Sequence, residues 1–325
     1  MLFTPNYKLN IITEEVFPSE IEKIENMLIP CRNSGYFKTF DNKDIYFEYF
    51  LAENAKASVV MVHGLSEFTR KFYETAWYFL NMGYNVFMYD QRGHGLSFRE
   101  AEPIELIHIN RFEDYVTDLE AFIDNTVADI SKTLPIYLFA HSMGGAVGAM
   151  YLATHQGKID KAVLSSPLIK PQLGSLPLCV AKIFTKLDSA LKGNTKKSRN
   201  SKDFNPNPSY SKSSDISRSR FDHNMKLRIS DRHYQSTPMS NGWVYEALSL
   251  RKKLVSKHIA GSISTPILLL SAEKDTVVCN ESQALFASKC KSCVLHTVKS
   301  AKHSMFSGND EIITEFMTKI IEFYG

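Results

Sequence analysis

The stretch of residues 136–154, IYLFAHSMGGAVGAMYLAT, decides the fold of this chain. Its first five residues are mostly apolar, as expected of a strand that is buried on both faces of a sheet. Small residues around a single serine follow, and the remainder has the pattern of an apolar helix. A buried strand that passes through a tight turn into a helix is the repeating unit of a mainly parallel sheet with helices on both faces.

The same strand–helix alternation continues along most of the chain and predicts the α/β class. We expect a mainly parallel central sheet flanked by helices, with residues 45–51 forming an antiparallel strand at its edge. The predicted parallel strands are residues 58–62, 85–89, 136–140, 162–165, 267–271 and 294–298. The predicted helices are residues 72–82, 112–129, 143–154, 242–258, 281–289 and 310–323.

Composition excludes several classes of protein. A chain of 325 residues with 44% hydrophobic and 22% charged residues is not disordered. Its net charge of +3 lacks the strong basic excess of a dedicated nucleic-acid-binding protein, so we expect no nucleic-acid partner. No apolar run reaches the roughly 20 residues that span a bilayer, and the first twenty residues lack a secretory signal pattern. Five scattered cysteines indicate reduced thiols and a cytoplasmic location.

One long segment interrupts the alternation and divides the predicted core. We expect residues 1–167 and 241–325 to form the two parts of the core, and residues 168–240 to form an inserted lid. Residues 182–232 hold eight lysines and five arginines against five aspartates, a net charge of +8. Two interpretations remain open: the basic segment contacts anionic lipid headgroups at a membrane, or it is a solvated surface loop.

Ser142 is the predicted nucleophile. The pattern Ala140-His-Ser142-Met-Gly144 lies between a predicted strand and a predicted helix, which is the context of a nucleophile elbow. In such an elbow the turn projects the serine hydroxyl above the edge of the sheet. Small neighbours are required because strand and helix approach closely there.

A nucleophilic serine needs a histidine base and a carboxylate that orients the histidine. In elbow-type hydrolases these groups follow the serine in the order acid, then histidine, each after a later strand. Asp275 and His303 lie at those places and are predicted as the orienting acid and the base. Glu273 is a competitor for the acid but lies closer to its strand, and His296 lies within a strand and is interpreted as a packed residue.

Two backbone N–H groups are expected to form the oxyanion hole, those of Leu65 and Met143. This chemistry requires neither a metal nor an organic cofactor, so we expect neither. Other charged patterns are interpreted as structural: DQRGHG at residues 90–95 as a turn, and Arg111, Asp114 and Asp118 as the solvated face of a helix.

Longer strings resemble the lysophospholipase and monoacylglycerol lipase branch of the α/β-hydrolases. They are HGLSEFTRKFYETAWYFLNMGYNVFMYDQRGHGLS at residues 63–97, HINRFEDYVTDLEAF at 108–122, LFAHSMGGA at 138–146 and DRHYQSTPMSNGWVYEAL at 231–248. The second and third are more specifically similar to bacterial inner-membrane-associated lysophospholipase. The resemblance covers roughly residues 30–165 and 225–325, and it implies the α/β-hydrolase fold with hydrolysis of a carboxylic ester of a single-chain lipid.

The resemblance implies the same roles for Ser142, Asp275 and His303, with Leu65 and Met143 as oxyanion donors. A lysophospholipid is the expected substrate, and a monoacylglycerol lipase or a general carboxylesterase is the alternative. A peptidase of the same fold and a non-catalytic ligand receptor are further alternatives, because one fold hosts many activities. Peripheral contact with the inner face of an anionic membrane, through the basic segment, is an additional expectation.

Overall fold

Eight strands form a single sheet in the order β1-β2-β4-β3-β5-β6-β7-β8. The computed structural model describes residues 1–174 and 176–325; residue 175, within the predicted lid, lies outside the described residues. The strands are β1 (Asn33–Lys38), β2 (Asp44–Phe50), β3 (Ala57–Val62), β4 (Tyr84–Tyr89), β5 (Ile136–His141), β6 (Lys161–Ser165), β7 (Ile267–Ala272) and β8 (Cys293–Val298). The six strands from β3 to β8 are parallel, and β2 pairs antiparallel with both β1 and β4. The predicted α/β class and antiparallel strand are confirmed, although β1 rather than β2 forms the edge.

Helices cover both faces of this sheet. They are α1 (Phe17–Cys31), α2 (Tyr73–Asn81), α3 (Glu113–Phe122), α4 (Ala128–Ser131), α5 (Met143–Thr154), α6 (Leu178–Lys192), α7 (Arg218–Ser230), α8 (Asn241–Leu254), α9 (Asn280–Lys289) and α10 (Asp310–Tyr324). The helix predicted at residues 112–129 is interrupted, because a π-helical turn at Ile123–Val127 separates α3 from α4.

The central parallel strands are mostly apolar because each of their faces packs against a separate hydrophobic core. In β3, Val60 and Val62 belong to the core that α3, α5 and α8 cover. Val59 and Met61 point to the opposite face and pack with residues of α1, α2 and α10. Alternate side chains therefore serve different cores, which explains the continuous apolar runs in the sequence.

The segment predicted as a lid, residues 168–240, connects β6 to α8 and contains α6 and α7. We call it the insertion. Arg220 of α7 is buried and donates hydrogen bonds from Nε and Nη2 to the carboxylate of Glu74 on α2, at 2.9 and 2.6 Å. This pair ties α7 to the core, so the insertion is attached at its middle as well as at its two ends.

At the start of α3, the burial of the charged side chains differs in part from the prediction. Arg111 is exposed as predicted, but Asp114 and Asp118 are buried rather than solvated, so the prediction was wrong for both aspartates. Asp118 accepts hydrogen bonds from Nε and Nη2 of Arg92, at 2.6 and 2.8 Å. Spacing along a helix shows which residues share a face, but it does not show whether another segment covers that face. Here Arg92 from the turn at residues 90–95 covers Asp118, and this turn is part of a buried ion-pair network.

Candidate active site

The turn that follows β5 holds Ser142 in a strained conformation. Ser142 has φ 53° and ψ −115°, a region that non-glycine residues seldom occupy. The turn packs tightly against the end of β3: a Cβ atom added to Gly144 would lie 2.6 Å from the carbonyl oxygen of His63 and would also clash with that of Val62. This close approach explains why only glycine fits at that position of the turn.

Three of the predicted residues come together at the carboxyl ends of their strands. Ser142 follows β5, Asp275 follows β7 and His303 follows β8, and all three loops meet above one edge of the sheet. The distance from His303 Nε2 to Ser142 Oγ is 2.8 Å, and the distance from His303 Nδ1 to Asp275 Oδ2 is also 2.8 Å. A carboxylate beside Nδ1 favours the tautomer with the proton on Nδ1, which leaves Nε2 free to accept the serine proton.

The environment of Asp275 keeps its carboxyl group ionised. Burial raises its pKa, but the hydrogen bond from His303 and those from the backbone N–H groups of Val277 and Val278 outweigh burial and hold the pKa below its usual value. The competitor Glu273 is exposed and accepts a hydrogen bond from the N–H of Ser300 instead. The charge needed to orient an imidazole is therefore present at Asp275.

Leu65, predicted as an oxyanion donor, lies in the loop after β3 and lines the cavity that contains Ser142. Within the described residues, the N–H groups of Leu65 and Met143 donate to no protein acceptor. The loop is held in place by Gly64, whose N–H donates to Glu67 Oε2 at 2.6 Å, and by Ser66, which adopts a left-handed φ of 61°. Two N–H groups without a protein acceptor, one in this loop and one directly after the serine, are what an oxyanion hole requires.

His63 has a structural role in the same loop. Its Nδ1 lies 2.7 Å from the carbonyl oxygen of Gly64, and its Nε2 accepts a hydrogen bond from the N–H of Gln91. His296 is half-buried, and its Nε2 lies 2.7 Å from a carboxylate oxygen of Glu315. Neither histidine contacts Ser142.

A buried ion pair beneath the serine was not identified from the sequence. Glu67 lies 2.8 Å from Lys71 Nζ and 4.0 Å from Nε2 of His141, the residue before the serine. Burial opposes ionisation of Glu67, but Lys71 and His141 outweigh it and lower the pKa of Glu67 to about 2. Burial lowers the pKa of His141 to about 3, so this imidazole is neutral near pH 7. The only hint of this ion pair in the sequence was that Glu67 and Lys71 are four residues apart, a spacing at which opposite charges often pair.

Ser142 and His303 open into a cavity of about 730 Å³ whose other wall is the insertion. Its charged lining residues are Glu67, Lys71, Lys202, Lys212, Asp215 and Arg228. A second cavity of about 670 Å³ lies between α6 and α8 and is mainly apolar; it shares no lining residue with the first. In the described parts of the chain no cluster of three or more metal-binding side chains occurs.

Comparison with known proteins identifies similar chains over most of the sequence. The chain is 26% identical to lysophospholipase L2 of Escherichia coli over 302 residues, which is 90% of this chain and 88% of that protein. It is 28% identical to human monoglyceride lipase over 142 residues, or 43% of this chain and 45% of that protein. The crystal structure of a soluble variant of the Saccharomyces cerevisiae monoglyceride lipase, with a substrate analog, matches with a TM-score of 0.72 at 19% identity. That match covers 89% of this chain and 93% of the yeast chain, and it confirms the α/β-hydrolase fold.

The resemblance noted in the sequence is confirmed at the level of the family. A family model described as serine aminopeptidase, S33 (Hydrolase_4) matches residues 53–310, which include the loop of Leu65, the serine turn and the positions of Asp275 and His303. The chain belongs to this family and is an enzyme of the α/β-hydrolase fold.

Proposed function

We propose that the protein is a serine hydrolase that cleaves the carboxylic ester of a lysophospholipid. The observation that carries this proposal is the hydrogen-bonded series from Ser142 through His303 to Asp275, which opens into a cavity of about 730 Å³. A serine, a histidine and a carboxylate at these distances activate a hydroxyl for attack on an ester.

The mechanism follows from the positions of the five groups. His303 Nε2 takes the proton of Ser142 as Oγ attacks the ester carbonyl carbon, and the N–H groups of Leu65 and Met143 stabilise the oxyanion. The tetrahedral intermediate collapses, the bond to the glycerol oxygen breaks, and His303 protonates the departing alcohol. Water then attacks the acyl-enzyme with His303 as base, which releases the fatty acid and returns the proton to Ser142.

Two observations favour a lysophospholipid over an uncharged monoacylglycerol. The similarity to lysophospholipase L2 extends over 90% of the chain, whereas that to human monoglyceride lipase covers 43%. The cavity also contains four basic side chains against two acidic ones beside the serine, a lining suited to a phosphate group. Monoacylglycerol hydrolysis is the alternative reaction of the same site.

The insertion supports a further part of this proposal, peripheral contact with an anionic membrane. Helix α6 exposes four large apolar side chains, and the insertion carries the excess of basic residues counted above. The exposed residues are Ile183, Phe184, Leu187 and Leu191. Apolar side chains beside lysines are the pattern of a helix that lies on a lipid surface. Among the described residues, no helix is both long and apolar enough to cross a bilayer.

Sedimentation with liposomes tests the membrane contact. Binding to vesicles that contain phosphatidylglycerol is expected to fall as salt rises and to weaken in Leu191→Asp, whose position is 79% exposed. Leu2→Asp, at an exposed apolar position outside the insertion, is the matched control. Binding that is insensitive to salt, lipid charge and Leu191→Asp contradicts membrane contact.

A hydrolysis panel tests the activity itself. The substrates are lysophosphatidylethanolamine, lysophosphatidylcholine, monoacylglycerol and p-nitrophenyl esters, together with aminoacyl p-nitroanilides for the peptidase alternative. We expect turnover of the lysophospholipids by the wild-type enzyme and none above background by Ser142→Ala. Turnover of the anilides alone favours the peptidase, and wild-type turnover by Ser142→Ala contradicts the proposed nucleophile.

A further inference from the structure

Arg228 of α7 lines the cavity that contains Ser142, and only two of its three guanidinium nitrogens donate hydrogen bonds to described residues of the protein. Nε donates to the carbonyl oxygen of Tyr234, and Nη2 donates to Ser236 O and to Thr237 Oγ1 at 2.6 Å. The guanidinium carbon Cζ lies over the ring of Phe204, 4.7 Å from its centroid. Within residues 1–174 and 176–325 no acceptor forms a hydrogen bond with Nη1, and this atom is not buried.

The acidic residue Asp215 in the same cavity wall also has one carboxylate oxygen without a hydrogen-bond partner among the described residues. Asp215 is 4% exposed and lines the cavity; its Oδ2 accepts a hydrogen bond from Ser213 Oγ at 3.0 Å. Its other oxygen, Oδ1, is buried and has no hydrogen-bond partner in the described part of the chain. A buried carboxylate oxygen without a partner is unfavourable by itself and marks a place where a donor from a ligand would be stabilised.

In the described part of the chain, no other charged side chain of the cavity forms a hydrogen bond with Arg228 or Asp215. Lys71 is bound to Glu67 at 2.8 Å, and Lys202 and Lys212 are exposed at the rim. Burial lowers the pKa of Arg228 to about 10, and the nearby Glu67 and Asp215 offset that effect only in part. Arg228 therefore remains charged near pH 7 in a site where its charge is not fully balanced.

We propose that Arg228 and Asp215 form the headgroup site for a zwitterionic lysophospholipid, with Arg228 binding the phosphodiester and Asp215 binding the ammonium group. This inference rests on the proposed function, because it places the headgroup in the cavity where Ser142 attacks the ester. Hydrogen bonds to residues 234–237 fix Nε and Nη2 of Arg228, so the remaining nitrogen, Nη1, is pre-oriented to donate to a phosphate oxygen. A buried carboxylate in the same wall discriminates between headgroups that carry an ammonium group and those that do not.

Ratios of kcat/KM between substrates with the same acyl chain test this site. The substrates are lysophosphatidylethanolamine, lysophosphatidylglycerol, which lacks the ammonium group, and monoacylglycerol, which lacks the headgroup. Arg228→Met is expected to lower the ratio of lysophosphatidylethanolamine to monoacylglycerol about 10- to 100-fold, mainly through KM, the range for one lost charge-assisted hydrogen bond. Arg228→Lys should restore part of this ratio.

The second variant addresses the ammonium group. Asp215→Asn is expected to lower the ratio of lysophosphatidylethanolamine to lysophosphatidylglycerol about tenfold. Arg218→Met is the matched control, because Arg218 lies on the same helix, is exposed and pairs with Asp222 outside the cavity. Glycerophosphoethanolamine should compete with substrate more strongly than inorganic phosphate, which separates a lipid headgroup site from a general phosphate site.

Several results would overturn the inference. Equal losses on lysophosphatidylethanolamine and monoacylglycerol in Arg228→Met mean that this residue only holds the loop at residues 234–237. An unchanged headgroup ratio in Asp215→Asn, or equal competition by inorganic phosphate, removes the ammonium site. Failure of the wild-type enzyme to hydrolyse any lysophospholipid overturns the proposed function and this inference with it, whereas wild-type turnover with unchanged ratios overturns this inference alone.

Discussion

The attachment of α7 to the core through Arg220 and Glu74 can be tested by removing one charge at a time. The exposed fractions of the two side chains are 3% and 9%, and they form two parallel hydrogen bonds of 2.9 and 2.6 Å. Arg220 also donates from Nη2 to the carbonyl oxygen of Ile12 at 2.7 Å. Arg220→Met keeps most of the side-chain volume but leaves a buried carboxylate at Glu74 without its partner.

The expected cost of Arg220→Met is about 3–5 kcal/mol in the free energy of unfolding, the range for breaking one partner of a buried ion pair. Glu74→Gln leaves a buried guanidinium and should also destabilise the protein. The double variant removes both charges, so its cost should be smaller than the sum of the two single costs by about 1–3 kcal/mol.

Urea unfolding with linear extrapolation measures these free energies. Arg218→Met is the control, since its pair with Asp222 on the same helix is exposed, is screened by solvent and should contribute little to stability. A cost below about 1 kcal/mol for Arg220→Met, or strictly additive single costs, would refute the conclusion that this pair anchors the insertion.

Three further predictions concern the candidate site. Asp275→Asn should lower kcat on p-nitrophenyl butyrate about 10⁴-fold, because an amide no longer selects the required tautomer of His303; a loss below tenfold contradicts its role. Gly144→Ala should destabilise the protein by at least about 1–3 kcal/mol in urea unfolding, because its Cβ would clash with the carbonyl oxygen of Val62, and wild-type stability would contradict the packing of the turn. Folding lowers the pKa of Glu67 from 4.5 to about 2, so its ionisation stabilises the protein above about pH 4.5 and this contribution is lost as the pH falls towards 2. Stability measured across that range should fall less steeply in Glu67→Gln, and parallel slopes for variant and wild type would contradict the ion pair.

The parallel core was predictable from the sequence because its signal is local. Runs such as residues 58–62 and 267–271 are apolar at all but one position, and in the structure alternate residues of each run pack into two different cores. The same holds for the serine turn, where strand, small residues and helix are contiguous. Asp275 and His303 could be proposed because chain order in this fold places such residues after neighbouring strands.

Buried charges were not predictable in the same way, because their partners lie far along the chain. Asp118 is buried by Arg92, and the anchor of α7 joins residues that are 146 positions apart. Their burial depends on tertiary contacts, and local spacing carries no information about these contacts. The edge strand β1 was not predicted for a related reason. Only one of its six residues is buried, so it has no continuous apolar run, and it depends on backbone pairing with β2.

Mass-spectrometric mapping of the residue that a fluorophosphonate probe modifies, with and without lysophosphatidylethanolamine, tests whether Ser142 is the nucleophile that acts on single-chain lipid esters. We expect one adduct, on the peptide that contains Ser142, and we expect it to form more slowly as the lysophospholipid concentration rises. No adduct is expected in Ser142→Ala. An adduct at another residue, or labelling of Ser142 at a rate that the lysophospholipid does not change, would contradict the claim that this serine hydrolyses single-chain lipid esters.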